Sequence, residues 1–127
     1  MLVNQIAVFL ENRKGRLHAL LGALSDAGVN VESLNIADTK DFGIVRLVTD
    51  DNDKAESALA AAGFTTARGN LVGIEVPDKP GSLTATLGKL SEEGVNLEYV
   101  YSYSRSGGKA LILFKTDDVA RAEALLK

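Results

Sequence analysis

The sequence predicts an α+β protein made of two repeats of a β-α-β-β-α-β unit packed side by side. Two observations support this class. A shift of 66 residues superposes the chain on itself without a gap. Within each repeat, apolar residues also alternate between a period of two, typical of strands, and a period near 3.6, typical of helices. We therefore expect one domain at residues 1–68 and a second at 69–127.

The repeat is visible in residues that are identical at both positions of the shift. The matched segments include Gly15 with Gly81, Gly28-Val29-Asn30 with Gly94-Val95-Asn96, and Ala58-Leu59 with Ala124-Leu125. Because units of this size bury little surface alone, we expect the two to pack into one body. Any site in one repeat should have a counterpart in the other.

The first half of each repeat reads as a strand and a helix. Alternating apolar residues predict strands at Leu2–Leu10 and Val72–Val76, each followed by a polar loop and a glycine, Gly15 or Gly81. Leucines at helical spacing then predict one helix in each repeat. Gly28 and Gly94 follow these helices, where a left-handed C-cap is favoured.

The second half of each repeat predicts a hairpin and a short helix. Second strands are expected at Val29–Ala37 and Val95–Tyr103, and third strands at Phe42–Thr49 and Lys109–Lys115. The connecting loops are predicted at 38–41 and 104–108. Aspartates supply N-cap chemistry for alanine-rich helices that end near residues 62 and 126, and 64–67 resembles a brief fourth strand. This order is the ferredoxin-like arrangement.

Two features bear on assembly. The second repeat stops at Lys127, directly after its last helix, so its own fourth strand is missing; either the strand is absent or a neighbouring segment takes its place. The third strands are also apolar on both faces, with Ile44 and Val48 opposite Val45 and Leu47. A second subunit would cover such a face, and the alternative is a central strand with ordinary apolar surface. We expect a homodimer or higher homo-oligomer.

Composition excludes several classes of protein. The net charge is −3 and no basic run could form a phosphate footprint, which argues against nucleic acid as a partner. The chain has no cysteine, which excludes disulfides and thiolate metal sites. No apolar stretch is long enough to span a membrane and no signal peptide is recognisable, so we expect a cytoplasmic protein with no membrane partner.

The catalytic inventory is poor, and we expect neither an enzyme nor a cofactor. His18 is the single histidine, and a lone helical histidine is usually solvated. Ser25 and Ser91 have no histidine partner to act as a base. The run at 50–53 could be imagined as a cation site, but its spacing lacks the distributed ligands of a calcium loop, and helix capping explains it better. We expect no metal site.

A recurring loop is the stronger functional signal. Asn12 or Asp78 leads through Gly15 or Gly81 into a helix N-terminus, where free N–H groups and the helix dipole favour a carboxylate. Asn30, like Asn96, is expected to point away from its own core, and an amide suits a zwitterion. The structural alternative is that the glycines serve turns and the asparagines are edge-strand polar residues.

These motifs resemble the ACT domain, a small regulatory module that binds amino acids. The loop 11–17 followed by Gly28-Val29-Asn30, and the loop 78–83 followed by Gly94-Val95-Asn96, are similar to the serine-sensing domain of phosphoglycerate dehydrogenases and to the acetolactate synthase small subunit. The resemblance covers the chain twice. It departs from the family pattern at Lys14, where proline is usual, and in the missing last strand.

The resemblance implies domains paired through their second strands, with an amino acid held where they meet. The 12–17 loop would then face Asn96, and the 78–83 loop would face Asn30. The ligand-binding residues that this implies are Asn12, Arg13, Lys14, Gly15, Arg16, Leu17, Asn30, Asp78, Lys79, Pro80, Gly81, Ser82, Leu83 and Asn96.

The leading function is a non-catalytic, allosteric regulatory protein that binds an amino acid and acts through a partner, possible partners including a metabolic enzyme. A second interpretation is a structural or regulatory subunit that associates with such an enzyme and binds no ligand. Tyr99, Tyr101 and Tyr103 share one side of their strand. They serve either packing or subunit contact, or form a wall for an aromatic or apolar ligand side chain.

Overall fold

The computed structural model describes residues 1–38 and 41–126 and divides into two compact units. The first unit is Asn4–Gly69, and the second combines Met1–Val3 with Asn70–Lys127. The predicted loop at 38–41 falls partly outside the described residues. The elements, in chain order, are β1 (Leu2–Glu11), α1 (Arg16–Asp26), β2 (Val31–Asp38), β3 (Phe42–Thr49), α2 (Asn52–Ala61), β4 (Thr65–Pro77), α3 (Ser82–Glu92), β5 (Leu97–Ser106), β6 (Lys109–Thr116) and α4 (Val119–Leu125).

The first unit is a complete β-α-β-β-α-β fold with strand order β2-β3-β1-β4. The antiparallel register of β1 and β3 places Ile6 opposite Leu47 and Val8 opposite Val45. These four side chains are fully buried and pack against Leu20, Leu24, Ala55 and Leu59 of the two helices. Phe64, which precedes β4, closes the same core at 8% exposure.

The second unit obtains its fourth strand from the beginning of the chain. Its strand order is β1-β4-β6-β5, with β1 contributing Met1–Val3. Met1 and Gly73 exchange both backbone hydrogen bonds, at 3.0 and 2.7 Å, as directly opposed residues of an antiparallel pair do. Of the two alternatives for the missing strand, the structure therefore shows that a segment from elsewhere in the chain takes its place.

The fourth strand of the first repeat and the first strand of the second are one element. The sequence predicts a brief strand at 64–67 and a separate strand from Val72, whereas β4 runs without interruption over Thr65–Pro77. Gly69 lies within it and lacks the positive φ that a turn would have required. β4 therefore contributes residues to both units.

The repeat does contain a one-residue insertion, so the gapless alignment is wrong beyond β5. In β5 the register with β6 shifts between Ser102 and Ser104, which leaves Tyr103 as a bulge that β2 does not have. From there on, equivalent residues differ by 67 positions. Buried Thr49 corresponds to buried Thr116, and the capping residue Asp51 corresponds to Asp118.

The apolar outer face of the third strands is partly buried within the chain itself. Val48 is 4% exposed and Leu113 is fully buried, although neither belongs to the cores under the helices. Leu113 lies directly opposite Gly73, which has no side chain and so leaves space for the leucine. The burial of Leu113 thus has an explanation within the second unit, and a second subunit is not needed to account for it.

Candidate functional site

Each predicted binding loop connects a first strand to an uncapped helix. In the first unit, β1 ends at Glu11 and α1 begins after Gly15, whose φ is +85°; in the second unit, α3 begins after Gly81, whose φ is +86°. A Cβ atom built on either glycine would have no atom within 4 Å. Valine at these positions would nevertheless strain the left-handed backbone, whereas asparagine tolerates it.

The N-termini of α1 and α3, which follow these loops, differ from those of α2 and α4. Neither Gly15 nor Gly81 offers a side-chain cap. By contrast, the Asp51 carboxylate accepts from the Lys54 backbone N–H of α2, and Asp118 accepts from that of Arg121 in α4. The capping prediction for the 50–53 run is therefore confirmed. Because uncapped N–H groups and the helix dipole favour an anion, α1 and α3 are the helices suited to a carboxylate.

A pocket of about 240 Å³ opens beside the loop of the first unit. Asn12, Arg13 and Leu17 of the predicted set line it, together with Leu10 and Ile36. The Asn12 backbone N–H donates to the Asp41 carbonyl, and the Arg13 guanidinium lies 3.0 Å from the Glu11 carboxylate. The pocket thus combines an apolar floor with amide and guanidinium groups at its rim.

The second unit has a repeat-related pocket of about 160 Å³. Asp78, Lys79, Ser82 and Leu83 of the predicted set line it, and Ser102 stands where Ile36 stands in the first unit. The Ser82 hydroxyl oxygen is buried and has no hydrogen-bond partner among residues 1–38 and 41–126. A polar group left in this state is costly unless something else satisfies it, such as a polar ligand atom.

Arg105 changes the electrostatics of the second pocket. Its Nε lies 2.9 Å from the Asp78 carboxylate. The hydrogen bond that Arg105 donates to the Asp78 carboxylate, and then the negative charge of Asp78, raise the pKa of Arg105 above its already high ordinary value, so the guanidinium stays charged. An unpaired Asp78 carboxylate would be an acceptor that favours an ammonium group. In the structure its charge is compensated, and the pocket rim presents Arg105 and Lys79 as cations.

Other predicted residues have different surroundings. The Arg16 guanidinium lies 4.8 Å above the Phe64 ring, a cation–π contact, and its Nε is buried without a partner in the described part of the chain. Arg16 is not among the residues that line the first pocket. Lys14 is exposed in the loop, and Pro80 belongs to the turn that leads into α3.

Asn30 lies at the opposite end of its unit from the binding loop. Its backbone exchanges hydrogen bonds with Asp50, after the end of β3, whereas Asn12 is bonded to Asp41, just before β3 begins. The length of β3, eight residues or about 26 Å, separates these two positions. Asn30 and Asn96 are both exposed. The asparagine and the loop of one unit therefore do not form a common site.

The sequence did not predict the residues from the second strands that line the two pockets. Ile36 and Ser102 come from the second strands, and Arg105 lies in a segment predicted as a loop but found in β5. The Gly107-Gly108 pair is a sequence signal for a tight hairpin turn and could have placed Arg105 in β5, since the strand continues to this turn and both glycines have positive φ. His18 is exposed, as predicted for a solvated helical histidine.

Comparison with known proteins identifies the family. A family model described as an ACT domain pair matches residues 1–127. Protein BT0572 from Bacteroides thetaiotaomicron has a similar structure, with a TM-score of 0.93, 36% identity, and coverage of 99% of this chain and 87% of that one. The chain therefore belongs to the ACT domain pair family, as the motifs of its two repeats indicated. No curated protein matches the sequence significantly.

Two more distant structures share the fold. The regulatory subunit of aspartate kinase from Thermus thermophilus, in its ligand-free form, superposes with a TM-score of 0.67 at 15% identity, covering 96% of this chain and 89% of that one. E. coli aspartokinase III, solved in complex with lysine and aspartate, superposes with a TM-score of 0.56 at 20% identity, covering 98% of this chain and 31% of that one. At these identities the likeness establishes the fold alone.

None of the described helices is both long and apolar enough to cross a membrane.

Proposed function

We propose that this chain is a regulatory protein that binds an amino acid at the loops Asn12–Leu17 and Asp78–Leu83. The observation that carries the proposal is the pairing of an uncapped helix N-terminus with an adjacent pocket, found once in each repeat. The amino-acid carboxylate lies at the N-terminus of α1 or α3, and its side chain lies on the apolar floor. The N-termini of α1 and α3 have no side-chain cap, whereas Asp51 caps the N-terminus of α2 and Asp118 caps that of α4.

The asparagines of each site come from a second copy of the chain. The second strands of the two repeats do not pair with each other as expected: β2 pairs with β3 and β5 with β6, and each is an edge strand on its other side within the residues described. Leu34, Ile36 and Val100 on these strands are 36–42% exposed. Pairing of second strands between two copies would bring the 12–17 loop to the partner's Asn96 and the 78–83 loop to the partner's Asn30. Such pairing is β-augmentation, in which main-chain hydrogen bonds supply much of the affinity.

The function follows from this arrangement. Because the ligand completes a contact between copies, its concentration sets the population of the assembled state, and an enzyme that recognises one state is regulated. The lysine and aspartate complex of aspartokinase III supports an amino acid as the ligand class. The alternative, a subunit that associates with an enzyme and binds no ligand, retains the edge strands but leaves the two pockets without a role.

Thermal shift against the twenty amino acids tests the proposal. A ligand at 100 times its Kd adds about 2.7 kcal/mol to the stability of the folded state, which is easily measured as a rise in Tm. Gly81→Asn should reduce this rise, because its side chain projects into the open space before α3. Gly63→Asn is the matched control, since Gly63 has a φ of +89° and equally open space but lies outside both loops. A uniform absence of shift would favour the ligand-free subunit.

Sedimentation equilibrium at micromolar concentration tests the pairing of second strands. We expect twice the chain mass of 13.4 kDa for the native protein. Leu34→Lys should favour the monomer, because a lysine on an edge strand opposes strand addition. Phe9→Lys replaces a side chain that is 52% exposed on β1 and should leave the mass unchanged. A native protein that sediments as a monomer with its amino acid bound would contradict assembly at this edge.

A further inference from the structure

The two loop pockets are related by the repeat, but their walls differ at one equivalent position of the second strands. Ile36 lines the first pocket and pairs with Val45 of β3. Ser102 lines the second pocket and pairs with Ile112 of β6, the counterpart of Val45. A ligand side chain would therefore meet an aliphatic group at this position in the first pocket and a hydroxyl group in the second.

The sign of the charge is reversed at the end of the same two strands. Asp38 pairs with Gly43 in the first unit, and the equivalent pair in the second unit is Arg105 with Ala110. Arg105 and Ala110 both line the second pocket. The second repeat thus has a guanidinium at a strand position where the first repeat has an acidic residue.

The charges of the lining residues do not cancel in the second pocket. Its lining contains two cations, Arg105 and Lys79, and a single carboxylate, that of Asp78. In the first pocket the Arg13 guanidinium lies 3.0 Å from the Glu11 carboxylate, so the charges cancel. Arg105 contacts Asp78 through Nε, and the Nη atoms of a guanidinium carry further N–H donors. The second pocket therefore has an excess of positive charge and donors suited to an anion.

A buried hydroxyl group adds to these donors. Ser82, the first residue of α3, lines the second pocket, and its Oγ is buried without a hydrogen-bond partner in the described ranges 1–38 and 41–126. Its counterpart Arg16 is not among the residues that line the first pocket, and the Arg16 guanidinium lies against the Phe64 ring instead. A ligand atom that accepts from the Ser82 hydroxyl would recover the cost of leaving it unpaired.

We propose that the two sites bind different classes of amino acid, the first an aliphatic one such as leucine and the second a short acidic one such as aspartate. This inference rests on the proposed function, because it assigns ligands to the same two sites. In the first pocket, of about 240 Å³, the ligand side chain packs against Leu10, Leu17 and Ile36. The chain then responds to two amino acids rather than to one.

The second pocket, of about 160 Å³, suits a side chain as short as that of aspartate. The methylene group of the ligand lies on the apolar floor, and its side-chain carboxylate accepts from Arg105 and Lys79 at the rim. Hydrogen bonds between charged groups are shorter and stronger than those between neutral groups, so this contact discriminates against an amide of the same size. Leucine offers no acceptor to these cations or to the Ser102 hydroxyl.

Isothermal titration calorimetry with L-leucine, L-aspartate and L-asparagine tests the assignment. We expect leucine and aspartate each to give one tight binding step, at a different site, so that leucine still binds tightly after saturation with aspartate. Asparagine has nearly the shape of aspartate without its charge, and it should bind the second site at least about tenfold more weakly.

Exchange of the equivalent wall residues assigns each step to a pocket. Ser102→Ile should weaken aspartate binding at least about tenfold and leave the tight leucine step unchanged, whereas Ile36→Ser should weaken only the leucine step. Ser104→Ile is the matched control, because Ser104 is exposed in the same strand but is not among the residues that line the pocket. Arg105→Gln should reduce the preference for aspartate over asparagine.

Failure of this inference is distinguishable from failure of the proposed function. If leucine and aspartate compete for both sites with similar affinity, the two sites are alike and the inference is wrong, although the proposed function stands. Full aspartate affinity in both Ser102→Ile and Arg105→Gln would also overturn it. If none of the twenty amino acids binds at millimolar concentration, the proposed function is wrong and the inference is wrong with it.

Discussion

Replacing Gly73 with valine is expected to lower the free energy of unfolding by about 1–3 kcal/mol. A Cβ atom at this position would lie 3.0 Å from a Val3 methyl group and 3.3 Å from side-chain atoms of both Leu113 and Met1. Valine would add two further methyl groups to this space, which Leu113 already fills. Relief requires the Met1–Val3 segment to move away from β4, so the two Met1–Gly73 hydrogen bonds would be lost as well. Urea denaturation followed by circular dichroism measures the change.

Gly69→Val is the matched control, because Gly69 lies in the same strand with nothing within 4 Å of its Cβ position. Valine suits an extended backbone, so we expect a change within about 0.5 kcal/mol, or a slight gain in stability. Equal destabilisation by both variants would indicate that β4 requires glycine for backbone reasons. Equal tolerance of both would show that Met1–Val3 is not held against Gly73 in solution.

The largest effect on ligand binding is expected at the asparagines. Asn30→Ala or Asn96→Ala should weaken amino-acid binding roughly 10- to 150-fold, because a hydrogen bond to a charged ligand group is typically worth about 1.5–3 kcal/mol. Asn30→Ala should affect the same site as Asp78→Ala, and Asn96→Ala the same site as Asn12→Ala. Isothermal titration calorimetry on the four variants, each giving two binding steps, measures this.

Which of these four variants affect the same binding step shows whether the site lies within one unit or between second strands of neighbouring copies. The opposite placement of Asn30 and Asn12 along β3 means that one unit cannot supply both to a single ligand. If Asn30→Ala and Asn12→Ala nevertheless abolish the same binding step, the site does not form between second strands of neighbouring copies. Asp78→Ala should also change the preference of the site for anionic ligand side chains. The preference should become stronger if Arg105 remains at the pocket once its partner is removed, and weaker if Arg105 leaves the pocket.

Local signals in the sequence predicted most of the fold correctly. Both long helices end within a residue or two of the expected glycines, Gly28 and Gly94, which have φ values of +74° and +72°. The third strand of the first repeat, Phe42–Thr49, is found at the predicted bounds. These features depend on residues near one another in the chain, which is why periodicity and capping chemistry identify them.

The errors arose where distant segments decide the structure. The bulge at Tyr103 adds one residue to β5 while the strand stays paired with β6. The sequence alignment of the repeats missed this insertion, because apolar residues in the alanine-rich helices that follow still match when they are shifted by one position. The use of Met1–Val3 as a fourth strand involves a partner 72 positions away. No local sequence pattern predicts the bulge in β5 or the pairing of Met1–Val3 with β4, because both depend on strand pairing between distant segments.

In the candidate site too, features that depend on local sequence could be predicted, and features that depend on distant segments could not. The loops could be predicted because glycine at a helix start and a recurring polar residue are local features, and the structure places pockets beside both. The pocket walls Ile36 and Ser102 and the ion-pair partner Arg105 lie 19 or more positions from the loop residues that they contact or face, so tertiary structure decides their placement. The predicted facing of Asn30 and the 78–83 loop stays a prediction.

The use of Met1–Val3 by the second unit also constrains the order in which the protein can be built. Met1–Val3 precede their partner in the chain, so they cannot pair with Gly73 until β4 has been synthesised. The first unit, Asn4–Gly69, can complete its own pairing before that point. Until Met1–Val3 dock on β4 they are unpaired, and Leu113 lacks the side chains that cover it beside Gly73. Closure over a separation of 72 residues is slow relative to local pairing, so we expect Met1–Val3 to dock late in folding.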